Sequence, residues 1–286
     1  MDILPQLLAN GVIAGAVYAL MAIAFSLSFS TGKFFNLALG AMVPVGGYAV
    51  YALSVQNNFP LFFSVPTGLF IAGIISMFCE LWVFRPLRAK RASSLALIIA
   101  SLGIATAASA ILAMLFSSQL QLLPRVLDQS RLIEGISVTN LQLFTIALSL
   151  AMSVVTIGII RLTAFGRAVR AVSDDSEVAS VVGINVERIH LTVAFFTGAL
   201  CALAGILIGM DVGLEPTMGL FYFLSGVIGS IVGGIGTIGA SVFGSYLEGL
   251  VENGALIVIP GEWKNAIAFA LLIVILLIRP RGLLRK

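Results

Sequence analysis

The strongest constraint on this chain is a succession of apolar runs, each close to twenty residues long. They fall near residues 6–30, 34–54, 61–84, 95–116, 141–160, 189–210, 240–258 and 264–279, with a glycine-rich apolar segment at 219–239 between the sixth and the last two. About twenty apolar residues in a helix match the hydrocarbon thickness of a bilayer. No soluble core could hide this much apolar surface, because only 10% of the residues are charged against roughly 25% in soluble domains. In lipid every backbone polar group must be paired within the span, which leaves helices as the spanning element for runs of this length. The expected fold is all-α: a polytopic helix bundle of nine spans, within a range of eight to ten. Residues 1–286 form a single membrane domain, with no soluble domain, linker, low-complexity tract or clear internal repeat.

Small residues punctuate the runs. Gly11 and Gly15 have the spacing that lets helices approach closely. Gly40, Pro44, Gly46 and Gly47 predict a kinked or partly unwound second run. The densest region holds Gly226, Gly229, Gly233, Gly234, Gly236 and Gly239, and reads either as a thin, tightly packed helix or as a broken one. Gly229 and Gly233, four apart, share one helix face; with Gly234 they are expected to serve packing.

Charge placement orients the bundle. Thirteen of the sixteen basic residues lie in the turns around Lys33, at 85–91, at 161–188 and at 279–286. Only Arg125, Arg131 and Lys264 fall on the other side. The excess marks the cytoplasmic face. The amino terminus is then external and the carboxyl terminus cytoplasmic. The start, MDILPQLL, lacks the positive region of a signal peptide, so the first span is expected to be retained.

One soluble stretch, residues 161–189, breaks the apolar series: RLTAFGRAVRAVSDDSEVASVVGINVERI. Asp174 and Glu177 have capping-box spacing, although Ser173 or Asp175 could cap instead. Val178, Val181 and Val182 then share a face, and Gly183 sits where a left-handed C-terminal cap favours glycine. Such a helix has about two turns and cannot stand alone in water. It is either an ordinary solvated loop helix or a docking helix that needs a partner surface.

Enzymatic chemistry is missing. Gly32-Lys33 is the one Gly-Lys pair, and Leu27 stands where a phosphate loop needs its first glycine. A nucleophile elbow and a metalloprotease motif are absent. Cys79 and Cys201 lie far apart in apolar runs, and His190 has no Cys or His near it, so neither a disulfide, a metal nor a cofactor is expected. Nothing points to a nucleic-acid partner. Glu80, Glu248 and Glu252 are the ionisable residues set clearly within spans, where charge is expensive. This combination points to a transport pathway driven by a separate motor. The competing class is an autonomous secondary transporter or channel, for which these three carboxylates are a sparse proton relay.

Several segments, in order, resemble the permease subunits of branched-chain amino acid ABC importers. They are Asn10-Gly11 with Tyr18-Ala19-Leu20-Met21-Ala22, Asn36 in FFNLALGAM, Glu80 through Arg88 in ELWVFRPLR, GRAVRAVSDDSEVASVVGIN at 166–185, VGGIGTIGASVFG at 232–244, and RPRGLL near the end. The resemblance implies a bacterial inner-membrane subunit. It would work with a second, homologous permease, two cytosolic ATPases and a periplasmic binding protein, and ATP hydrolysis would lie on the ATPases. It implies that 166–185 is the segment seated in the ATPase, with Gly166, Arg167, Arg170, Asp174, Asp175, Glu177, Ala179, Gly183 and Asn185 as its residues. Relatives carry leucine-type amino acids, or urea, short amides or aromatic acids. The stretch after Asn36 is apolar where the family commonly has polar residues, which leaves room for a less polar or aromatic substrate. Glu252 matches a position that is commonly acidic in the family and Glu248 does not. Asn36, Glu248 and Glu252 are the expected pathway residues.

The orientation is checked by cysteine labelling in a background without Cys79 and Cys201. An impermeant reagent added outside should reach Gln129→Cys and should not reach Ala89→Cys or Ser176→Cys; the reverse pattern inverts the topology.

Overall fold

The computed structural model describes residues 3–124, 130–133, 136–280 and 282–284. Helix α1 spans Ile3–Gly32, α2 Ala38–Tyr51, α3 Leu61–Cys79, α4 Arg85–Ala89 and α5 Ser94–Phe116. A two-stranded antiparallel hairpin follows, β1 Ser130–Ile133 with β2 Ile136–Thr139. The chain continues through α6 Asn140–Leu162, α7 Ala164–Asp174, α8 Ser176–Val181 and α9 Val186–Asp211. It ends with α10 Met218–Gly233, α11 Ile238–Gly254 and α12 Lys264–Ile278. No strand was expected here, so the hairpin is new to the all-α expectation. Gln129, the outer labelling position, lies outside the described residues.

Among the described residues, seven helical segments are long and apolar enough to cross a membrane. Met218–Gly233 and Ile238–Ile257 form a further pair, bent by 116°. Counted as one broken element the pair brings the total to eight, one fewer than the nine expected. The cause is the break between them. Gly234 and Gly236 have φ of +129° and +88°, a region that favours glycine and ends the helix. The glycine-rich region is therefore broken rather than thin. The second run also differs: residues 34–37 are non-helical, the helix starts at Ala38, and it ends in a π-helical turn, Ala52–Gln56.

The bundle has an inner and an outer set. Some 72% of the α1 window and 67% of the α9 window are buried, against 22% for α5 and α6 and 11% for the last span. Phe25, Tyr48, Phe84 and Phe223 are among the largest side chains wholly inside. The outer helices expose Phe62, Trp82, Ile99, Val154 and Leu277, an apolar surface suited to lipid. The loop after α9 folds back into the bundle. Leu214 is fully buried, pairs its backbone with Gln121, and accepts a hydrogen bond from the Tyr48 hydroxyl at 3.3 Å.

Inner helices meet backbone to backbone. A Cβ at Gly205 of α9 would lie 1.9 Å from the Val43 carbonyl oxygen of α2. At the α10–α11 seam a Cβ on Gly233 would lie 1.8 Å from the Ala240 oxygen, and one on Gly229 2.4 Å from the Ser245 hydroxyl. The carboxyl-terminal tail closes this end. Leu283 and Leu284 donate backbone hydrogen bonds to the oxygens of Val232 and Gly233 at 2.9 and 3.0 Å.

Gly233→Leu should therefore lower the recovery and thermal stability of the detergent-solubilised protein, by about 3 kcal/mol or more from overpacking. Gly239→Ala, where nothing lies within 4 Å, should leave both unchanged. Equal behaviour of the two variants would remove the seam from the account of stability.

Candidate functional site

The basic end is built around 161–189, which holds two helices where one was expected. Thr163 caps α7 by accepting from the Gly166 N–H at 3.1 Å. Gly166 lies so near the end of α6 that a Cβ there would fall 2.3 Å from the Ile160 oxygen. Arg170 donates to that same oxygen, satisfying a carbonyl the α6 terminus leaves open. Val169 and Val172 face inward and share a cluster with Leu27, Ala179, Ile189 and Val193. Lys33, at the end of α1, donates to the Ser173 carbonyl at 2.5 Å.

The cap of α8 is Asp175, not Asp174. Asp174 is the last residue of α7, whereas Asp175 is extended and its carboxylate accepts from the N–H groups of Glu177 and Val178 at 2.8 and 3.1 Å. Glu177 supplies a backbone donor rather than the reciprocal half of a capping box. At the other end Ile184 N–H bonds back to the Ala179 oxygen at 3.0 Å across Gly183, whose φ is +88°. This is a Schellman stop. Asn185 then caps α9 by accepting from Arg188 N–H at 3.0 Å. Ala179 is buried, and Arg167 and Glu177 are exposed. Val178, Val181 and Val182 are 60%, 86% and 70% exposed, so α8 presents an apolar face pinned at both ends and left uncovered by the described residues.

An ion pair joins the neighbouring turn to this end, and another lies within that turn. Arg85 meets Glu187 at 2.7 Å with both side chains about half exposed, which adds little stability. Arg88 pairs with the buried Glu80. That pairing explains a carboxylate in the third run that the sequence could place but not partner.

The second candidate region lies inside the bundle. Glu248 is wholly buried in α11, and neither carboxylate oxygen finds a hydrogen-bond partner among the described residues. It packs against Gly229, where a Cβ would lie 2.9 Å from its Oε2. Glu252, one turn on, reaches Lys264 at 3.7 Å, and Lys264 donates to Asn253 Oδ1 at 3.2 Å. Tyr18 of α1 lies beside both carboxylates. It also lines a cavity of about 330 Å³ that is bounded further by Gln142, Thr145, Asp211, Asn253 and Lys264. Asn36 is not part of that lining. It sits in the non-helical link before α2, buried, with its Oδ1 unpartnered among the described residues. The expected trio is thus split, with the two glutamates together and Asn36 apart.

Sequence reasoning missed Lys264, counted only as an outer charge, and Gln142. Thr139 and Gln142 do form a reciprocal capping box at the start of α6, a spacing the sequence displays. The same Gln142 amide reaches Asp211 Oδ1 at 3.4 Å. Among the described residues no group of His, Cys, Asp and Glu could hold a metal ion, and Cys79 and Cys201 are free.

A multi-pass helical bundle, with a rigid apolar helix at its basic end and carboxylates beside a polar cavity, has the make-up of a transport permease. The family model described as the permease component of the branched-chain amino acid transport system matches residues 7–276, and the chain belongs to that family. The chain is 29% identical to the high-affinity branched-chain amino acid transport system permease protein LivH of Salmonella typhimurium, over 98% of this chain and 95% of that one. It is 26% identical to the corresponding protein BraD of Pseudomonas aeruginosa, with the same coverage. Among solved structures, PsaBC from Streptococcus pneumoniae in complex with Fab shares the fold with a TM-score of 0.53 at 13% identity, covering 98% of this chain and 93% of that one.

The glutamate pair yields an ordered expectation. Glu252→Gln should leave the protein folded, because Lys264 is 39% exposed and water replaces the lost partner. It should lower transport about tenfold or more, the cost of losing one charged hydrogen bond. Glu248→Gln should do less. Uptake assays in membrane vesicles decide, and full transport by the double variant removes both residues from the pathway.

Proposed function

We propose that this chain is the membrane-spanning permease subunit of an ATP-driven ABC importer for branched-chain or related small amino acids. It is one membrane domain with an external amino terminus and a cytoplasmic carboxyl terminus, in a bacterial inner membrane. It pairs with a second, homologous permease, receives substrate from a periplasmic binding protein, and is driven by two cytosolic ATPases. The chain itself hydrolyses nothing. Urea, amides or aromatic acids are the alternative substrates for the same machine.

The observation that carries this reading is the face of α8. An isolated six-residue helix melts in water. This one is held by Asp175 and by the Gly183 stop, yet it leaves Val178, Val181 and Val182 uncovered. A cap at each end fixes the helix without using that face, as a surface reserved for a partner requires. Its position supports a motor as the partner: α7 rests on the ends of α1 and α6, and α9 begins directly after it. A push on α8 is thus delivered to the long inner helices. The family relationship supports amino acids as the cargo.

The test is Val181→Asp combined with Val182→Asp. Both residues are exposed, so the fold should be unchanged. Apolar anchors at an interface contribute about 2 kcal/mol or more, roughly a thirtyfold loss of attachment. The ATPase should no longer co-purify with the permease and uptake should fall accordingly. Retained co-purification and full uptake would end the docking assignment.

A further inference from the structure

A second cavity, of about 190 Å³, lies at the basic end of the bundle, and among the described residues its walls hold two cations and no acid. Arg161 enters from the last turn of α6 and Arg170 from α7. Arg161 has no hydrogen-bond or ion-pair partner among the described residues. Arg170 uses one N–H on the Ile160 oxygen and keeps the others, since a guanidinium carries five. Ser26 of α1 also lines the space and is only 1% exposed. Its oxygen accepts from the Gly236 N–H at 3.2 Å, and its own hydrogen has no acceptor among the described residues. A buried hydroxyl hydrogen of this kind calls for one. Thr237 stands at the start of α11, yet its side chain caps nothing, so the first N–H groups of that helix are open as well. A Cβ on Gly239 would meet nothing within 4 Å, so the space beside them is unfilled. Lys33, bonded to the Ser173 carbonyl, adds a further positive charge at the rim. Asp174, the next residue, is exposed and outside the lining.

We infer that this cavity binds a phosphate group, borne by a phospholipid head group or free in solution. The walls offer donors from α1, α6, α7 and the start of α11, and a tetrahedral anion presents oxygens in as many directions. A planar carboxylate has two oxygens and leaves part of that set unused. The volume is below the roughly 300 Å³ at which sites for drug-sized ligands begin, so a head group or a small anion fits and a nucleotide does not. The sequence of α6 supplies a path for an attached acyl chain. Leu150, Val154, Ile157 and Arg161 follow one another at helical spacing on one face. Leu150 and Val154 are 47% and 69% exposed on the lipid side, Ile157 reaches the cavity wall, and Arg161 ends the stripe. Basic pockets between spans at the cytoplasmic surface are a recurring seat for anionic lipid head groups. A phosphate held here ties α7, which carries α8, to the end of α6 and to the break before α11. The site is independent of the cargo and stands whether or not the importer reading does.

The test is protection of a thiol in the wall. Ser30→Cys, in a background without Cys79 and Cys201, is reacted with iodoacetamide in the full chain as purified from membranes. Ser30 lines the cavity and donates to the Leu27 carbonyl within α1, so the change removes no donor from the ligand. One arm adds inorganic phosphate to the detergent-solubilised protein, with acetate at equal concentration and ionic strength as its control. The other compares nanodiscs containing phosphatidylglycerol with discs of phosphatidylcholine, whose trimethylammonium would face the arginines. At ten times its half-protecting concentration a bound anion should slow labelling about elevenfold by mass action. Protection by inorganic phosphate identifies a soluble source and protection by phosphatidylglycerol alone identifies the membrane; each supports the site. In the arm that protects, Arg161→Gln and Arg170→Gln should each raise the half-protecting concentration about tenfold or more, and Arg161→Lys should keep most of the protection. Arg167→Gln, on α7 but outside the lining, should change nothing. Ile160→Cys repeats the assay should Ser30→Cys fail to fold. No protection in either arm, equal protection by acetate, protection unchanged in both arginine variants, or an equal loss in Arg167→Gln overturns the assignment.

Discussion

Backbone-to-backbone approach at the glycine seams is the constraint on which the rest of this bundle depends. Between helices in lipid there is no hydrophobic drive, because tails and leucines are equally apolar, so association rests on contact and on satisfied polar groups. The chain meets that requirement by removing side chains where inner helices cross. Gly205 lets α9 touch α2, Gly11 and Gly249 bring α1 and α11 together, and Gly229 with Gly233 seats α10 on α11. The seam of α11 decides more than packing. It turns Glu248 and Glu252 toward Tyr18 and away from lipid, and thereby brings Asn253 and Lys264 to the wall of the cavity.

Much of this was legible in the sequence. Run length located every long helix, because twenty apolar residues have few alternatives. The residues that organise the basic end were also readable, since a cap acts through neighbours a few positions away: Gly183 and the valine face are local signals. The same locality misled over Asp174. Two adjacent aspartates offer equivalent spacing, and only the extended backbone at Asp175 decides between them. The helix Ala164–Asp174 was not anticipated, because its inward valines are interleaved with arginines and its partner surface comes from α1 and α9. The span count came out at the low end of its expected range of eight to ten, because geometry there is global. Gly234 and Gly236 show that a break is permitted, but the 116° bend is set by what α10 and α11 pack against. Lys264 and Asp211, some fifty residues apart, could not be placed on one cavity by any local pattern.

Helix α9 joins the two regions. It begins at Asn185, which caps it immediately after the Schellman stop of α8, and it ends at Asp211 in the cavity wall. Its middle is locked against α2 and α3, where Gly205 meets Val43 and Gly198 meets Ser76. A helix so closely seated moves as a rod rather than by bending. Helix α1 makes the same traverse in reverse, from Asn10 and Tyr18 at the cavity to Lys33 beside Ser173. Two rigid elements therefore run between the capped apolar helix and the charged walls.

The carboxyl-terminal tail has a practical consequence. The last carbonyls of α10 would be left open by the break at Gly234, and the N–H groups of Leu283 and Leu284 close them. Gly282 approaches Gly234 so nearly that a Cβ there would lie 2.6 Å from its Cα. Residues 282–284 thus act as a latch on the seam. An affinity tag or fluorescent fusion attached after these residues hangs from the part of the fold that turns α10 into α11.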